Sequence, residues 1–452
     1  MRCRESWIGT TAAACLALAG CASLDPEPDW RQVQALTEQT AHATPVWRRS
    51  PEATEAANAK VAELLEGGLT RDEAVQIALV NDPRLQAQFD QLGLARADYV
   101  QAGLFTNPDL GAFIGFPLRL DGSAITLMTL LSDLWIVPAR EAVAEATIQV
   151  TIQQTASAVL QTLFEAEQAY DTVLYHEARL ALESEELDLR RRSAERIQQS
   201  SAHEREQVVR ESVSEIGVAD QEIVLAQEVR DLALARHHLV QILDLPARER
   251  DVPLADRLDE PSEDAWNEDR AVPFALEQRL DLAAARLEVE QARRRATLAR
   301  RSRFARVGAG PGYNGAFGTD DDWGPSVAIT LPIFDWKQAD LSSAAFQELQ
   351  SEHQLAALEA QTRREVADAV AECQLQRSQA EILRTQVLPA RLRLKEQSGP
   401  EGPHDLAEYL IWLQGQKQAI EARRSYMGAV WGLRQAQSEF MRALYGGAAR
   451  DR

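Results

Sequence analysis

Residues 148–174 read IQVTIQQTASAVLQTLFEAEQAYDTVL, and this stretch decides the fold. Its apolar residues follow one another at steps of three and four, as in the seam of a coiled coil. They are Ile148, Ile152, Ala156, Val159, Leu163, Ala166, Tyr170 and Val173. The surrounding helical run, from about residue 139 to 199, is about 90 Å long at 1.5 Å per residue. Because no globular core is that wide, we predict a mainly α-helical protein built from long coiled-coil hairpins.

The second half of the chain repeats the plan of the first. Residues 78–96 match residues 275–293 at a constant offset of 197, so that Ala78-Leu79 falls on Ala275-Leu276. In each half we predict a helix, a strand pair, a long helix and a return helix. In the first half they lie at about 71–102, with Thr70 as the N-cap candidate, 109–116 with 123–132, 139–199 and 202–243. In the second they lie at about 274–303, 306–313 with 326–334, 337–397 (interrupted only by Pro389) and 403–445.

The four predicted strands have the length and alternation of membrane-spanning β-strands, which run about 9–11 residues. Four strands cannot close a barrel, and an open sheet edge is not tolerated in lipid. Two chains would supply eight strands and three would supply twelve, of which only the larger number leaves an obvious lumen. Gly308, Gly310, Pro311 and Gly312 crowd one strand, which we expect to be bulged or irregular there.

The N-terminus is typical of an exported lipoprotein. Arg2 and Arg4 precede an apolar stretch from Ile8 to Ala19 that is too short to span a bilayer. Leu18-Ala19-Gly20-Cys21 then resembles a bacterial lipobox, in which Cys21 becomes the acylated first residue; an ordinary cleavage site is the alternative. Ala22 rather than Asp follows Cys21, and by resemblance to lipoprotein sorting this favours the outer membrane.

These features divide the chain into six parts. We predict a signal peptide (1–20), a lipidated extended N-terminal segment (21–68), the first repeat (69–244), a linker rich in Pro, Asp and Glu (245–273), the second repeat (274–446) and a tail (447–452).

Composition excludes several classes of function. The chain has 69 acidic and 48 basic residues, a net charge of −21 that argues against nucleic acid as a partner. No phosphate-binding loop, dinucleotide fingerprint, GxSxG motif or zinc spacing occurs, so we predict no catalytic residue, no metal site and no cofactor beyond the lipid on Cys21. An arginine cluster from Arg293 to Arg303 precedes a predicted strand; it is either a solvated surface or a contact for carboxylates or anionic lipid.

Four motifs, in order, resemble those of the TolC-like outer-membrane factor family, in particular its lipoprotein branch. They are LTRDEA at 69–74 with NDPRL at 81–85, QAGLFTNPDL at 101–110, RLDLAAAR at 279–286 and LPIFD at 331–335. The resemblance implies a homotrimer with a 12-stranded transmembrane β-barrel in the outer membrane and an α-barrel reaching into the periplasm. It implies a passive duct for drugs, metal ions or other small molecules, working with a periplasmic adaptor protein and an inner-membrane pump, and no enzymatic reaction. The alternative is a non-conducting, lipid-anchored coiled-coil scaffold or adhesion protein.

The family often closes its periplasmic tip with acidic residues in an LDxLDAQ-like stretch. Here that stretch falls on residues 410–416, where Ile411 and Gln414 replace the two acids. Asp405 and Glu408 lie one to two turns nearer the tip and share a helical face, so three chains could gather six carboxylates around the axis. Asp405, Glu408 and Gln414 are therefore our constriction candidates. A solvated helix start, where acidic residues favour the helix dipole, is the alternative.

Overall fold

The computed structural model describes residues 24–115, 119–199, 204–246, 252–258, 267–303, 306–314, 322–397 and 406–446. The predicted signal peptide, Cys21, Asp405 and the predicted tail lie outside these ranges. The described chain divides into two compact units. The first unit comprises residues within 24–32, 90–152 and 284–355, and the second comprises residues within 33–89, 153–283 and 356–446.

Long helices account for most of the chain. Up to residue 242 the elements are α1 (Glu27–Ala41), α2 (Pro51–Leu64), α3 (Arg71–Asn81), α4 (Pro83–Gly103), β1 (Asp109–Gly115), β2 (Arg119–Leu130), α5 (Asp133–Gln198) and α6 (Glu204–Ile242). The second half has α7 (Glu268–Gln278), α8 (Leu280–Ser302), β3 (Val307–Asn314), β4 (Asp322–Ile329), α9 (Gln338–Ile382), α10 (Leu388–Gln397) and α11 (Leu406–Tyr445). The mainly helical fold with a small β part is therefore confirmed.

Each predicted first helix is two helices with a break at an equivalent position. The break after α3 falls at Asp82, and the break after α7 falls at Arg279, which is 197 residues later. The first follows from Pro83, since a residue that precedes proline is driven out of the helical conformation. Thr70 begins α3 as predicted: its side chain accepts a hydrogen bond from the Glu73 amide and Glu73 bonds back to the Thr70 amide.

The long helix of the second repeat continues past Pro389 because its helical pitch changes locally. A five-residue π-helical segment, Leu383–Val387, joins α9 to α10, and the Leu388 amide bonds to the Leu383 carbonyl. Proline has no amide hydrogen and crowds the carbonyl four residues before it, so the wider π turn accommodates it.

The N-terminal segment differs from the prediction. We expected residues 21–68 to be extended, but α1 and α2 are helical. Ser50 caps α2 by accepting a hydrogen bond from the Ala53 amide, and Pro51 occupies the first helical position, where proline is favoured. In the predicted linker, Leu254 forms a parallel bridge with Leu69, and α7 begins at Glu268, before the expected boundary.

The four strands form one antiparallel sheet in the first unit, in the order β1-β2-β3-β4. Strand β2 begins at Arg119, so residues 120–122 lie in the strand and not in the expected turn. Strand β4 spans Asp322–Ile329, whereas we expected 326–334. The alternation of side chains does continue to Ile333. However, β3 begins at Val307, which pairs with Ile329, so Leu331 and Ile333 have no strand partner in β3.

The glycine-rich strand β3 is irregular on one side only. Its register with β4 is constant over all eight residues, whereas its pairing with β2 omits Gly310 and Pro311. At Gly310 an added Cβ would lie 1.7 Å from the Leu127 carbonyl oxygen, so the two backbones approach as only glycine permits.

Candidate channel-forming surfaces

The two faces of the sheet differ in chemistry. Side chains alternate along a strand, so the register assigns them to faces. One face, the apolar face, carries Leu110, Ala112, Ile125, Leu127, Thr129, Val307, Ala309, Pro311, Tyr313, Trp323, Pro325, Val327 and Ile329. On it Leu110, Trp323 and Val327 are 74%, 75% and 62% exposed. Apolar side chains on this scale are unfavourable in water and indicate a covering environment.

The opposite face is built mainly of small residues. It carries Gly111, Thr126, Met128, Leu130, Gly308, Gly310, Gly312, Gly324, Ser326 and Ala328. At two of these positions a larger side chain would displace a neighbouring one: a Cβ on Gly111 would lie 2.9 Å from the Thr126 hydroxyl, and one on Gly308 would lie 3.1 Å from the Met128 methyl group. The sheet thus presents large apolar side chains on one face and mainly small side chains on the other.

The sheet is open at both edges. Among the described strands, β1 pairs only with β2 and β4 only with β3. An exposed strand edge presents unpaired amide and carbonyl groups, which makes it a template for another strand.

The long helices of the second unit form a row in the order α6, α5, α11 and then α9 with α10. His176 of α5 bonds Glu228 of α6 at 2.7 Å, and Arg434 of α11 bonds Asp171 of α5 at 2.8 Å. On the other side of α11, the Cys373 thiol of α9 donates to the Ala436 carbonyl at 3.1 Å. Among the described long helices, α6 and α9 with α10 are therefore the edges of the row.

The apolar surface of this row is concentrated at one edge helix. Helix α6 exposes seven large hydrophobic residues: Val208, Val209, Val213, Ile216, Ile223, Val229 and Leu234. In contrast, the stretch of α5 within this unit, 153–198, exposes none. Val209, Val213, Ile216 and Ile223 keep a coiled-coil spacing. Their side of α6 lies about 100° around the helix from Gly217, Gln221 and Glu228, which contact α5. That seam has the pattern of a contact with another long helix.

A buried ionic network joins the central helices. Arg424 of α11 bonds Glu183 at 2.9 Å and Glu186 at 2.5 Å, and Arg190 bonds Glu186 from within α5. Burial alone would raise the pKa of Glu186, but hydrogen bonds from Arg190 and Arg424 outweigh it and lower that pKa. The carboxylate is thus held in its charged form, and losing one partner of such a network is strongly destabilising.

Each helix break is held by a set of charged residues that also reaches the long helix of its own repeat. In the first clamp, Arg84 bonds Asp82 at 2.8 Å and lies 3.5 Å from Glu165. The second clamp has the charges exchanged: Arg279 bonds Asp281 at 2.7 Å and Glu365 at 2.8 Å.

Side chains at the breaks also donate hydrogen bonds to carbonyl groups at the C-terminal ends of the return helices. The Asn81 amide bonds the Leu243 carbonyl at the end of α6, and Arg279 bonds the Ala443 carbonyl at the end of α11, both at 3.0 Å. These carbonyls would otherwise lack a partner. The internal repeat seen in the sequence is thus also a repeat of hydrogen bonding.

The predicted constriction residues are only partly described. Glu408, in the first turn of α11, and Gln414 are both exposed, and Asp405 lies outside the described ranges. Six residues separate Glu408 from Gln414, which places them about 120° apart around the helix, so they do not form one line. The sequence-based prediction missed the adjacent aromatic cluster: Tyr409 and Trp412 pack against Leu189 of α5, and Arg196 lies 4.7 Å above the Tyr409 ring.

The second unit also contains a cavity of about 940 Å³. Charged side chains of both signs line it, including Arg71, Glu167, Asp256 and Arg434. Burial raises the pKa of Glu167 to about 7, although Arg71 at 3.2 Å opposes the shift. Cys373 also lines the cavity, and burial raises the pKa of its thiol to about 11, as expected of an unreactive core cysteine.

The described residues offer neither a metal site nor a helix that could span a membrane. Within the described ranges, no group of three or more His, Cys, Asp or Glu side chains is placed to hold a metal ion. None of the described helices combines the length and the apolar character needed to cross a membrane.

Comparison with known proteins identifies the family that the chain resembles. Residues 272–437 match the family model described as outer membrane efflux protein. The resemblance to outer membrane efflux proteins is confirmed. Proteins of this family are channels and not enzymes, in agreement with the prediction that the chain catalyses no reaction. A search of curated protein sequences found no match.

Solved structures of an outer membrane channel and other membrane proteins share the fold. A membrane protein from Pseudomonas aeruginosa is 20% identical, with a TM-score of 0.67 over 84% of this chain and 91% of its own. The open state of the Neisseria gonorrhoeae MtrE outer membrane channel is 19% identical, with a TM-score of 0.68 over 84% and 90%. The outer membrane protein VceC from Vibrio cholerae is 16% identical, with a TM-score of 0.62 over 83% and 96%. At these identities the likeness shows the fold.

Proposed function

We propose that this chain is the outer-membrane channel of a tripartite efflux system and acts as a passive homotrimeric duct. Three chains would supply twelve strands for a transmembrane β-barrel and twelve long helices, counting α9 with α10 as one, for a periplasmic α-barrel. Cys21 would anchor each chain by a covalent lipid. A periplasmic adaptor protein would dock at the helical tip and connect the duct to an inner-membrane pump, which exports drugs, metal ions or other small molecules.

The observation that supports this proposal is that the sheet and the row of long helices each have two open edges. The sheet ends in the unpaired edges of β1 and β4, and the helix row ends in α6 and in α9 with α10. An open edge in lipid leaves backbone groups without partners, so a membrane sheet of this kind has to close with copies of itself. Three copies are favoured over two because an eight-stranded barrel is filled by its own side chains, whereas twelve strands leave a lumen.

The dimensions of the sheet agree with a position in the membrane. Eight residues of β4 at about 3.4 Å each span about 27 Å along the strand. At the tilt of about 35–45° of outer-membrane barrels this is about 19–22 Å along the membrane normal, most of the apolar band of about 25 Å. The apolar face would contact lipid, and the small-residue face would line the lumen. Tyr313 and Trp323, with ring centroids 5.4 Å apart, would form part of an aromatic girdle at the hairpin end.

The assembly can be tested at the exposed seam of α6. We expect Ile216→Glu combined with Ile223→Glu to abolish the heat-sensitive trimer on semi-native gels and the conductance in planar bilayers, because charge would enter a subunit contact. Val229→Glu is the matched control: it is a similar exposed apolar residue of α6, but it lies at least about 120° around the helix from the other two.

The result also distinguishes the duct from the non-conducting scaffold. A wild-type protein that is monomeric and silent in bilayers would refute the duct. Equal loss of trimer in the double variant and in Val229→Glu would refute the seam as the subunit contact while leaving the duct intact.

A further inference from the structure

Positive charge is concentrated in one segment of this acidic chain. Residues 291–307 contain seven arginines and no acidic residue, although the whole chain carries a net charge of −21. The arginines are Arg293, Arg294, Arg295, Arg300, Arg301, Arg303 and Arg306. Such a cluster within an acidic protein indicates a local anionic contact, provided that the chain itself does not neutralise it.

The structure separates the neutralised arginines from the others. Arg293 bonds Glu352 at 2.7 Å and Arg294 bonds Glu145 at 2.9 Å. The last four arginines, Arg300, Arg301, Arg303 and Arg306, are exposed and have no ion pair with any carboxylate in the described ranges. We call these four residues the basic rim.

The basic rim lies at the end of the sheet where β2 finishes and β3 begins. The Arg306 carbonyl accepts a hydrogen bond from the Thr330 amide at 3.0 Å, just beyond β4. The next carbonyl along the chain, Val307, accepts from the Leu131 amide at 2.7 Å. The Arg301 guanidinium reaches the Trp135 carbonyl in the first turn of α5.

Large apolar side chains surround this end of the sheet and extend the apolar face beyond the strands. They are Leu131, Leu134, Leu331, Ile333, Phe334 and Trp336, and Phe334 is 93% exposed. Exposed aromatic and aliphatic groups next to arginines are typical of a membrane–water interface, where the apolar group enters the lipid and the charged group stays at the headgroups. An acidic protein partner would neutralise the arginines but would leave Phe334 without an apolar environment.

We propose that the basic rim binds the phosphate groups of anionic phospholipids at this end of the sheet, with Phe334 and Trp336 inserted among the acyl chains. The inference rests on the proposed function, because it needs the apolar face to lie in a bilayer. The guanidinium group suits this ligand, since its planar set of donors matches two phosphate oxygens at once. The net negative charge of the headgroup, and not the acyl chain, would distinguish an anionic lipid from phosphatidylcholine, whose choline cation neutralises the phosphate.

The test measures lipid preference with the full-length protein in phosphatidylcholine vesicles. Brominated phosphatidylglycerol or brominated phosphatidylcholine is added, and quenching of tryptophan fluorescence gives the relative affinity for the two lipids. We expect the wild-type protein to prefer phosphatidylglycerol by about threefold or more, and the preference to fall in high salt. Arg300→Gln, Arg303→Gln and Arg306→Gln together should bring the ratio to about one.

Two further variants control for charge and folding. Arg191→Gln, Arg230→Gln and Arg363→Gln together remove the same charge from exposed positions in the second unit and should keep the preference. The lysine variant, which combines Arg300→Lys, Arg303→Lys and Arg306→Lys, retains the charge and should keep most of the preference for phosphatidylglycerol. Equal loss in both glutamine variants, or no preference in the wild-type protein, would overturn the proposal.

Conductance separates this inference from the proposed function. A wild-type protein that conducts in pure phosphatidylcholine but shows no lipid preference refutes the basic rim and leaves the duct standing. If inorganic phosphate at millimolar concentration removes the preference, the arginines bind free anions, and the lipid assignment is wrong.

Discussion

At the residue scale, the two clamps keep one geometry with exchanged charges, and in each clamp the residue at the break is the buried one. The Arg279 side chain is 2% exposed and the Asp82 side chain is 3% exposed, whereas Arg84 is 49% exposed. Breaking an ion pair is costly when a buried charge loses its partner, and an exposed pair contributes little. Both clamps therefore hold one buried charge, which is positive in the second repeat and negative in the first.

We predict that Arg279→Ala destabilises the protein by about 3–5 kcal/mol, because it leaves Asp281, Glu365 and the Ala443 carbonyl without their shared donor. Arg363→Ala, which removes an exposed pair with Glu359 on α9, should cost about 1 kcal/mol or less. Unfolding in guanidinium, followed by circular dichroism of the helices, measures both. Equal losses would show that burial does not set the strength of these ion pairs.

At the element scale, Gly310 of β3 allows the backbone of β2 to come close. The sequence pattern indicated this position only as an irregular strand. Gly310→Ala would place a methyl group 1.7 Å from the Leu127 carbonyl oxygen, so β2 and β3 would have to separate. We predict loss of assembled, heat-modifiable protein from the outer membrane fraction. Gly324→Ala in β4 is the matched control, because an added Cβ there meets nothing within 4 Å. Similar yields from the two variants would contradict this account of β3.

Local patterns predicted the elements well where burial follows a simple period. The seam from Ile148 to Val173 identified α5, and Thr70 marked the start of α3. The predictions were wrong where tertiary partners decide the outcome: Leu331 and Ile333 continue the alternation of β4 but have no strand to pair with. No proline follows Arg279, so the local sequence does not predict the helix break there. Only the equivalence of Arg279 to Asp82 in the repeat could have indicated this break.

The candidate surfaces were less predictable than the elements. The sequence could show the alternation on single strands, but the apolar face emerges only from the register that joins Leu110 to Leu127 and Tyr313 to Trp323. The arginine cluster was visible in the sequence, yet the structure is needed to show that Arg293 and Arg294 are paired within the chain while the basic rim is not.

At the scale of the whole molecule, the net charge of −21 bears on which ions the proposed channel would pass. If three chains enclose a lumen, their carboxylates set the potential inside it, and a ring of acids at a constriction favours cations over anions. Glu408 is exposed at the start of α11, as such a ring requires, although an acidic residue in the first turn of a helix also stabilises the helix dipole. Stability and selectivity therefore have to be measured separately.

We predict that Asp405→Ala combined with Glu408→Ala lowers the cation-to-anion permeability ratio of the channel by about twofold or more, because six carboxylates would leave the trimer axis. The ratio follows from the reversal potential of planar bilayers in a KCl gradient. Glu52→Ala with Glu55→Ala in α2 is the matched control, since it removes two exposed acids of the same spacing outside the long helices. An unchanged ratio in the tip variant, with normal trimer stability, would show that Asp405 and Glu408 only begin a helix and that selectivity arises elsewhere along the lumen.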